Sequence, residues 1–213
     1  MSSEPVLEPA LEPTLDAARR GRLYPALILH GRDAAARQGA ALALARTLLC
    51  AAASPADRPC GVCRHCRRIV WPGGGGEAAF HPDFQVLERD LKTSTSVEAT
   101  REMLKTAQVS PFEARGQVFV VASAETLSGE AANALLKTLE EPHTSAPRHF
   151  LLLAPASMDL LPTLRSRSLS VFLGPAAAVD ATAVEPLARG FAAALGRHAA
   201  SGAAIYLLTA AEA

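Results

Sequence analysis

The chain has 213 residues, 49% of them apolar and 20% charged, with 21 Lys+Arg balancing 21 Asp+Glu at a formal net charge of zero. That length builds one good core plus a small second unit, and the balance removes any global basic field for holding nucleic acid, leaving only a local patch. The longest apolar runs, such as Phe150–Pro155, are far too short to span a bilayer, and the acidic, Pro-rich start MSSEPVLEPALEP is unlike a signal peptide. A cytoplasmic protein whose four cysteines form no disulfide framework is therefore expected, with no membrane partner.

Residues 1–20 read as an N-terminal leader, loose over 1–13, with a short helix over Thr14–Arg20 ended by Gly21. Ala26–His30 is a buried strand. The stretch LILHGRDAAARQGAALALARTLL, Leu27–Leu49, then reads as strand, tight loop and Ala/Leu-rich helix over Ala34–Leu49. Its apolar face is Ala41, Leu42, Ala45, Leu48 and Leu49.

Strand, loop and helix in that order are the layout of a phosphate-binding loop, G-x-x-x-x-G-K-[ST]. Counted from Gly31, the second glycine falls on Ala36, the lysine on Arg37 and the hydroxyl residue on Gln38. Ala36 adds a methyl group where backbone should approach phosphate. Arg37 keeps a charge but is a planar fork, and Gln38 offers a neutral amide in place of the magnesium hydroxyl. The layout is kept and the chemistry is altered, so no ATP is expected there.

Cys50, Cys60, Cys63 and Cys66 follow in the pattern C-x9-C-x2-C-x2-C. Two C-x2-C steps within 17 residues have the count and spacing of a closed, structural four-thiolate zinc site. Free thiols or a redox pair are the other readings, but PADRPCGVCRHCRR offers little core in which to bury cysteines. Arg58, Arg64, Arg67 and Arg68 would offset the negative charge of such a site, and His65 reads as an exposed bystander.

Gly73–Gly76 is a flexible loop, and His81-Pro82-Asp83 leads into a strand at Phe84–Glu88. Thr95 and Glu98 make a capping box for a helix running to Gln108. Gln117–Ala122 is a buried strand. It ends Val120-Val121-Ala122-Ser123-Ala124-Glu125, without the carboxylate that an active P-loop ATPase holds there for magnesium. Ser128 caps a helix over Gly129–Glu140 with an apolar stripe of Ala131, Ala132, Leu135, Leu136 and Leu139. His149–Ala154 is a fourth strand, Leu160–Arg165 a short helix or turn, and Leu169–Leu173 a fifth strand. Strands alternating with helices predict an α/β fold with a mostly parallel sheet. Beyond Gly174-Pro175 the sequence turns Ala-rich and helical, over 184–196 and 202–211, so a boundary is placed near 175.

Residues GRLYPALILHG at 21–31, the cysteine quartet, HPD at 81–83, AANALLKTLEEP at 131–142 and LPTLRSRS at 161–168 together resemble the delta-prime subunits of bacterial DNA polymerase III clamp loaders. The resemblance runs from about residue 20 to 174. Related gamma/tau subunits carry similar strings but would keep an intact GKT loop and an acidic strand end. The resemblance implies an AAA+ module over 21–175, a five-stranded parallel sheet with flanking helices and the cysteine module at 50–66 inserted. A small helical lid over 176–213 follows, and a C-terminal collar domain is absent from these residues.

It also implies a non-catalytic subunit with structural zinc. Its partners would be gamma/tau and delta subunits and, through the complex, the sliding clamp and primer-template DNA. Arg167 matches the arginine finger of the family's Ser-Arg-Cys string, Ser168 departing at its third position. Asn133 would anchor the preceding loop, and Lys137 and Glu141 would pair at (i, i+4). Two other classes stay open: an ATP-binding gamma/tau-type ATPase that tolerates Arg37, and a zinc-containing nucleic-acid adaptor using 58–68.

Overall fold

A computed structural model describes residues 10–73, 80–89, 97–140 and 146–174. The chain divides into two compact units, Met1–Ala176 and Ala177–Ala213. The expected lid helices, the Thr95 end of the capping box, Glu141 and most of the Gly73–Gly76 loop lie outside the described residues.

In chain order the elements are α1 (Glu12–Arg19), β1 (Ala26–His30), α2 (Ala34–Leu49), α3 (Arg64–Arg68), β2 (Phe84–Leu87) and α4 (Val97–Ala107). There follow β3 (Gln117–Val121), α5 (Gly129–Glu140), β4 (Arg148–Ala154), α6 (Pro162–Ser166) and β5 (Leu169–Phe172). The strands form one five-stranded sheet in the order β2-β3-β4-β1-β5, parallel throughout. β3 and β4 are central and almost wholly buried, which is why VFVV and FLLLA read as continuous apolar runs rather than alternating ones.

Successive side chains of each strand nonetheless point to opposite faces. Leu27, Leu29, Val118, Val120, Leu151 and Leu153 pack on one side with Leu15, Leu44 and Leu49. Ile28, Phe119, Val121, Phe150 and Leu152 pack on the other with Met103, Leu104, Leu135 and Leu164. Phe119 and Phe150 stack across β3 and β4 with ring centroids 5.2 Å apart.

Three local expectations change. The first helix starts at Glu12, with Leu11, Leu15 and Ala18 buried in the core shared with α2, so this part of the leader belongs to the fold. The spacing of four and three residues puts all three on one helix face. On α2 the buried set includes Ala40 and Leu44, while Leu42 and Leu48 are only half-buried. Apolar residues surround that helix, so sequence periodicity points weakly to its inner face. Asn133 is exposed, and no hydrogen bond to the preceding loop is found for it among the described residues. The Ser128 cap forms as expected, its hydroxyl accepting the Ala131 N–H at 3.2 Å.

Candidate functional site

In a parallel sheet, ligands bind beyond the carboxyl ends of the strands. The loop Gly31–Asp33 stands at that edge, between the end of β1 and the start of α2. Gly31 has φ +84°, and a Cβ there would come 2.4 Å from the Gly174 carbonyl oxygen and 2.7 Å from the Phe172 ring. Only glycine fits.

Several of the loop's donors are engaged by the chain itself. The Gly31 N–H donates to the Pro155 carbonyl at 2.9 Å and the Arg32 N–H to the Gly174 carbonyl at 3.0 Å. The Asp33 carboxylate accepts the Ala36 N–H at 2.8 Å, capping α2. A negative group thus already sits where a phosphate would meet a helix N-terminus. The Arg37 guanidinium turns back to donate to the carbonyls of Gly31 (3.1 Å) and Arg32 (2.7 Å). At the end of β3, Ala122 and Ser123 occupy the positions of interest and Glu125 is exposed on a short turn.

The cysteines assemble at the other end of α2. Cys50 caps its C-terminus, Cys63 caps the N-terminus of α3, and Cys66 lies within α3. The four Sγ atoms all lie within 4.8 Å of one another, so this set can hold a metal ion. A tetrahedral zinc with bonds of about 2.3 Å puts its sulfurs roughly 3.8 Å apart.

Backbone N–H groups already address the sulfurs. Ala52 and Cys60 donate to Cys50 Sγ at 3.4 and 3.5 Å, Cys63 to Cys60 Sγ and Cys66 to Cys63 Sγ at 3.4 Å each. N–H groups of Val62 and Cys63 pull the Cys60 thiol below its ordinary range. Burial pushes Cys63 up, but hydrogen bonds from Ala51 and Cys66 outweigh it and bring the thiol down to about 6. Burial pushes Cys66 up to about 12. Thiolate is favoured at Cys60 and Cys63 and resisted at buried Cys66. The donor set fits a closed four-thiolate metal site.

Sequence reasoning missed the neighbouring polar relay. His65, expected to be exposed, is buried, and its Nδ1 lies 2.8 Å from Nε2 of buried His81. His81 does more than lead into β2. Its Nδ1 accepts the Asp83 N–H at 3.1 Å, while its Nε2 faces His65.

Glu113 completes a triad whose ligating atoms lie within 4.8 Å. With His81 Nδ1 taken by a backbone N–H and Glu113 paired with Arg68, the triad reads as a hydrogen-bonded fastening. Burial, with His65 beside it, pushes His81 down to about 4. Asp83, itself buried, accepts the N–H groups of Phe112 (2.6 Å), Glu113 (2.9 Å) and Ala114 (2.8 Å). Arg68 of α3 pairs with Glu113 at 2.5 Å. The relay ties the cysteine module to the loops that flank β2 and precede β3. The only sequence signal for it was the HPD string, whose partners lie 16 to 31 residues away.

Arg167 follows α6 and precedes β5, half-exposed, with Nε 2.5 Å from Glu140 Oε1. β5 begins level with Leu27 and ends level with His30. Arg167 and the Gly31 loop are therefore at opposite edges of the sheet, separated by roughly 10 Å of strand plus the flanking residues.

A family profile described as "DNA polymerase III, delta subunit" matches residues 8–176. The chain belongs to this clamp-loader family, in its delta-prime type. It is 36% identical over 148 residues to DNA polymerase III subunit delta' of Yersinia pestis, covering 69% of this chain and 41% of that one. It is 33% identical over 172 residues to subunit delta' of Escherichia coli K12, covering 80% and 48%. It is also 34% identical over 160 residues to subunit gamma/tau of Mycobacterium bovis, covering 74% and 25%. The delta-prime-type chain thus spans about a quarter to a half of the length of these relatives.

A solved gamma subunit-related protein of DNA polymerase III from Thermotoga maritima matches with TM-score 0.53 and 21% identity, over 85% of this chain and 50% of that one. That likeness is one of fold, a parallel sheet with flanking helices as the sequence led us to expect. No helix among the described residues is long and apolar enough to cross a membrane.

Proposed function

We propose that this chain is a non-catalytic subunit of a DNA polymerase III clamp loader, which leaves its own nucleotide loop empty and lends Arg167 to the ATP of a neighbouring gamma/tau-type subunit. The observation that carries this is the loop itself: the Asp33 carboxylate caps the helix N-terminus and Arg37 is spent on the loop's own carbonyls. A triphosphate arriving there would meet a carboxylate at the helix N-terminus and no lysine.

The place of Arg167 supports action in trans. It stands at the sheet edge opposite its own loop, half-exposed. A guanidinium fixed against the γ-phosphoryl oxygens stabilises the charge that spreads over them in the transition state. The turn and helix beside it carry exposed Met158 and Leu161, apolar surface suited to a protein neighbour. The cysteine cluster would hold a structural zinc through Cys50, Cys60, Cys63 and Cys66, with no open position for a substrate. Delta, the sliding clamp and primed DNA would be met through the assembly.

Titration of the purified chain with Mg·ATP should show no micromolar binding. Added to a gamma/tau-type subunit it should raise ATP turnover, and Arg167→Ala should lower that turnover about 10³-fold or more with folding intact. The similarity to gamma/tau subunits favours a second reading, an ATPase in its own right. Micromolar affinity for Mg·ATP in the isolated chain would select it.

A further inference from the structure

We propose that Glu140 is a positioning residue for Arg167, holding one edge of its guanidinium so that the other faces the neighbour's triphosphate; this rests on the arginine-finger role proposed above. Glu140 is the last residue of α5, and its carboxylate meets Arg167 Nε at 2.5 Å. A carboxylate is badly placed at a helix C-terminus, where the backbone already presents negative partial charge. It needs a cation beside it, and Arg167 is that cation.

The pair does little for stability. Its side chains are 44% and 54% exposed, and exposed ion pairs are worth little. Its effect is directional. Nε stands 2.5 Å from the Glu140 carboxylate in an ion pair, and Nη1 is 3.3 Å from Ser166 Oγ on the same turn. Nη2 makes no hydrogen bond among the described residues and remains for a phosphate oxygen. An arginine side chain loses rotamer freedom when fixed. A finger already held on one edge has less of it to lose in the transition state.

Glu140 is the fixed end of the pair. Its helix packs through Ala131, Ala132 and Leu135, all wholly buried, and α5 contacts α6 directly. Arg167 sits on the C-cap of α6, whose N–H groups close onto Leu164 and Arg165 carbonyls. The two helices bring the carboxylate and the guanidinium together without any partner chain.

The test is ATP turnover of the full chain assembled with an ATP-binding gamma/tau-type subunit, comparing wild type, Glu140→Ala, Glu140→Gln, Arg167→Ala and the double variant. Glu140→Ala should lower kcat about fivefold to tenfold with KM for ATP unchanged, since the pair acts on orientation and not on nucleotide binding. Glu140→Gln, which keeps one acceptor oxygen, should fall between. In the Arg167→Ala background the Glu140 change should add nothing, because both act through the same guanidinium. Thermal melting should be unmoved in every variant.

Wild-type or faster turnover in Glu140→Ala, with Arg167→Ala strongly impaired, would overturn the positioning role and leave the finger standing. Normal turnover in Arg167→Ala would overturn the finger itself and this inference with it.

Discussion

The two ends of α2 make opposite use of the same resource, the backbone N–H. At its N-terminal end the loop donors are taken by the chain's own oxygens: Pro155, Gly174 and the Asp33 carboxylate. At its C-terminal end the N–H groups of Ala52, Cys60, Cys63 and Cys66 point at sulfurs. N–H···S contacts do not neutralise a cluster of thiolates, so they prepare it for a cation. One end has the outline of a binding site with three of its donors already taken. The other has its donors gathered around a charge that still needs an opposite. Which groups satisfy the donors separates the two ends better than the shape of either.

The largest effect should come from emptying the second end. Cys63→Ser, or a strong chelator, should remove one bound zinc per chain and release residues 50–69 as a unit. Metal-dependent folding in small four-ligand sites is worth on the order of 10 kcal/mol. The five-stranded sheet has its own core and should persist. Metal analysis should fall from one zinc to none, and trypsin should then cut at Arg64, Arg67 or Arg68 while the sheet stays protected. Undiminished protection after complete zinc loss would mean that the relay, not the metal, holds the module.

The relay itself supplies the intermediate effect. Asp83 is buried and satisfies three backbone donors of the loop before β3. Asp83→Ala leaves those donors unpaired, each at a cost of about 1 kcal/mol or more, so the loss should reach about 3 kcal/mol. Denaturant unfolding of the zinc-loaded chain measures it. If zinc is the main fastening, the cysteine module should still bind metal in this variant. Loss of metal along with stability would show that the two fastenings act as one.

How much of this could be read in the sequence follows from the range of each interaction. β1, β3 and β4 were legible because buried parallel strands are apolar without interruption, and α5 because Ser128 and its stripe lie within one helix. The cysteines were legible because metal ligands at C-x2-C spacing are local. The His65–His81–Asp83 relay was not, since its members meet only after β2 and β3 pair. The helical start at Glu12 was hidden by the prolines around it, although Leu11 and Leu15 supply the core contact. The altered residues Ala36, Arg37 and Gln38 were visible in sequence. The direction of Arg37 was not, because a charge in the lysine position says nothing of which oxygens it reaches.

That direction gives the smallest expected effect and the sharpest comparison. Arg37→Ala removes hydrogen bonds to two half-exposed loop carbonyls, costing about 1 kcal/mol and lowering Tm by about 2–4 °C. The combined change Ala36→Gly, Arg37→Lys and Gln38→Thr restores the sequence of a phosphate loop. It should still bind Mg·ATP no more tightly than about 1 mM. The Asp33 carboxylate remains on the helix N-terminus, and Ala122 and Ser123 still offer magnesium no carboxylate. Tight binding by this triple variant, measured by calorimetry, would mean that three side chains alone had closed the loop. Binding that appears only when Asp33→Ala and Ala122→Asp are added would mean that the site was lost at both ends of its strands, in groups that the phosphate-loop pattern does not include.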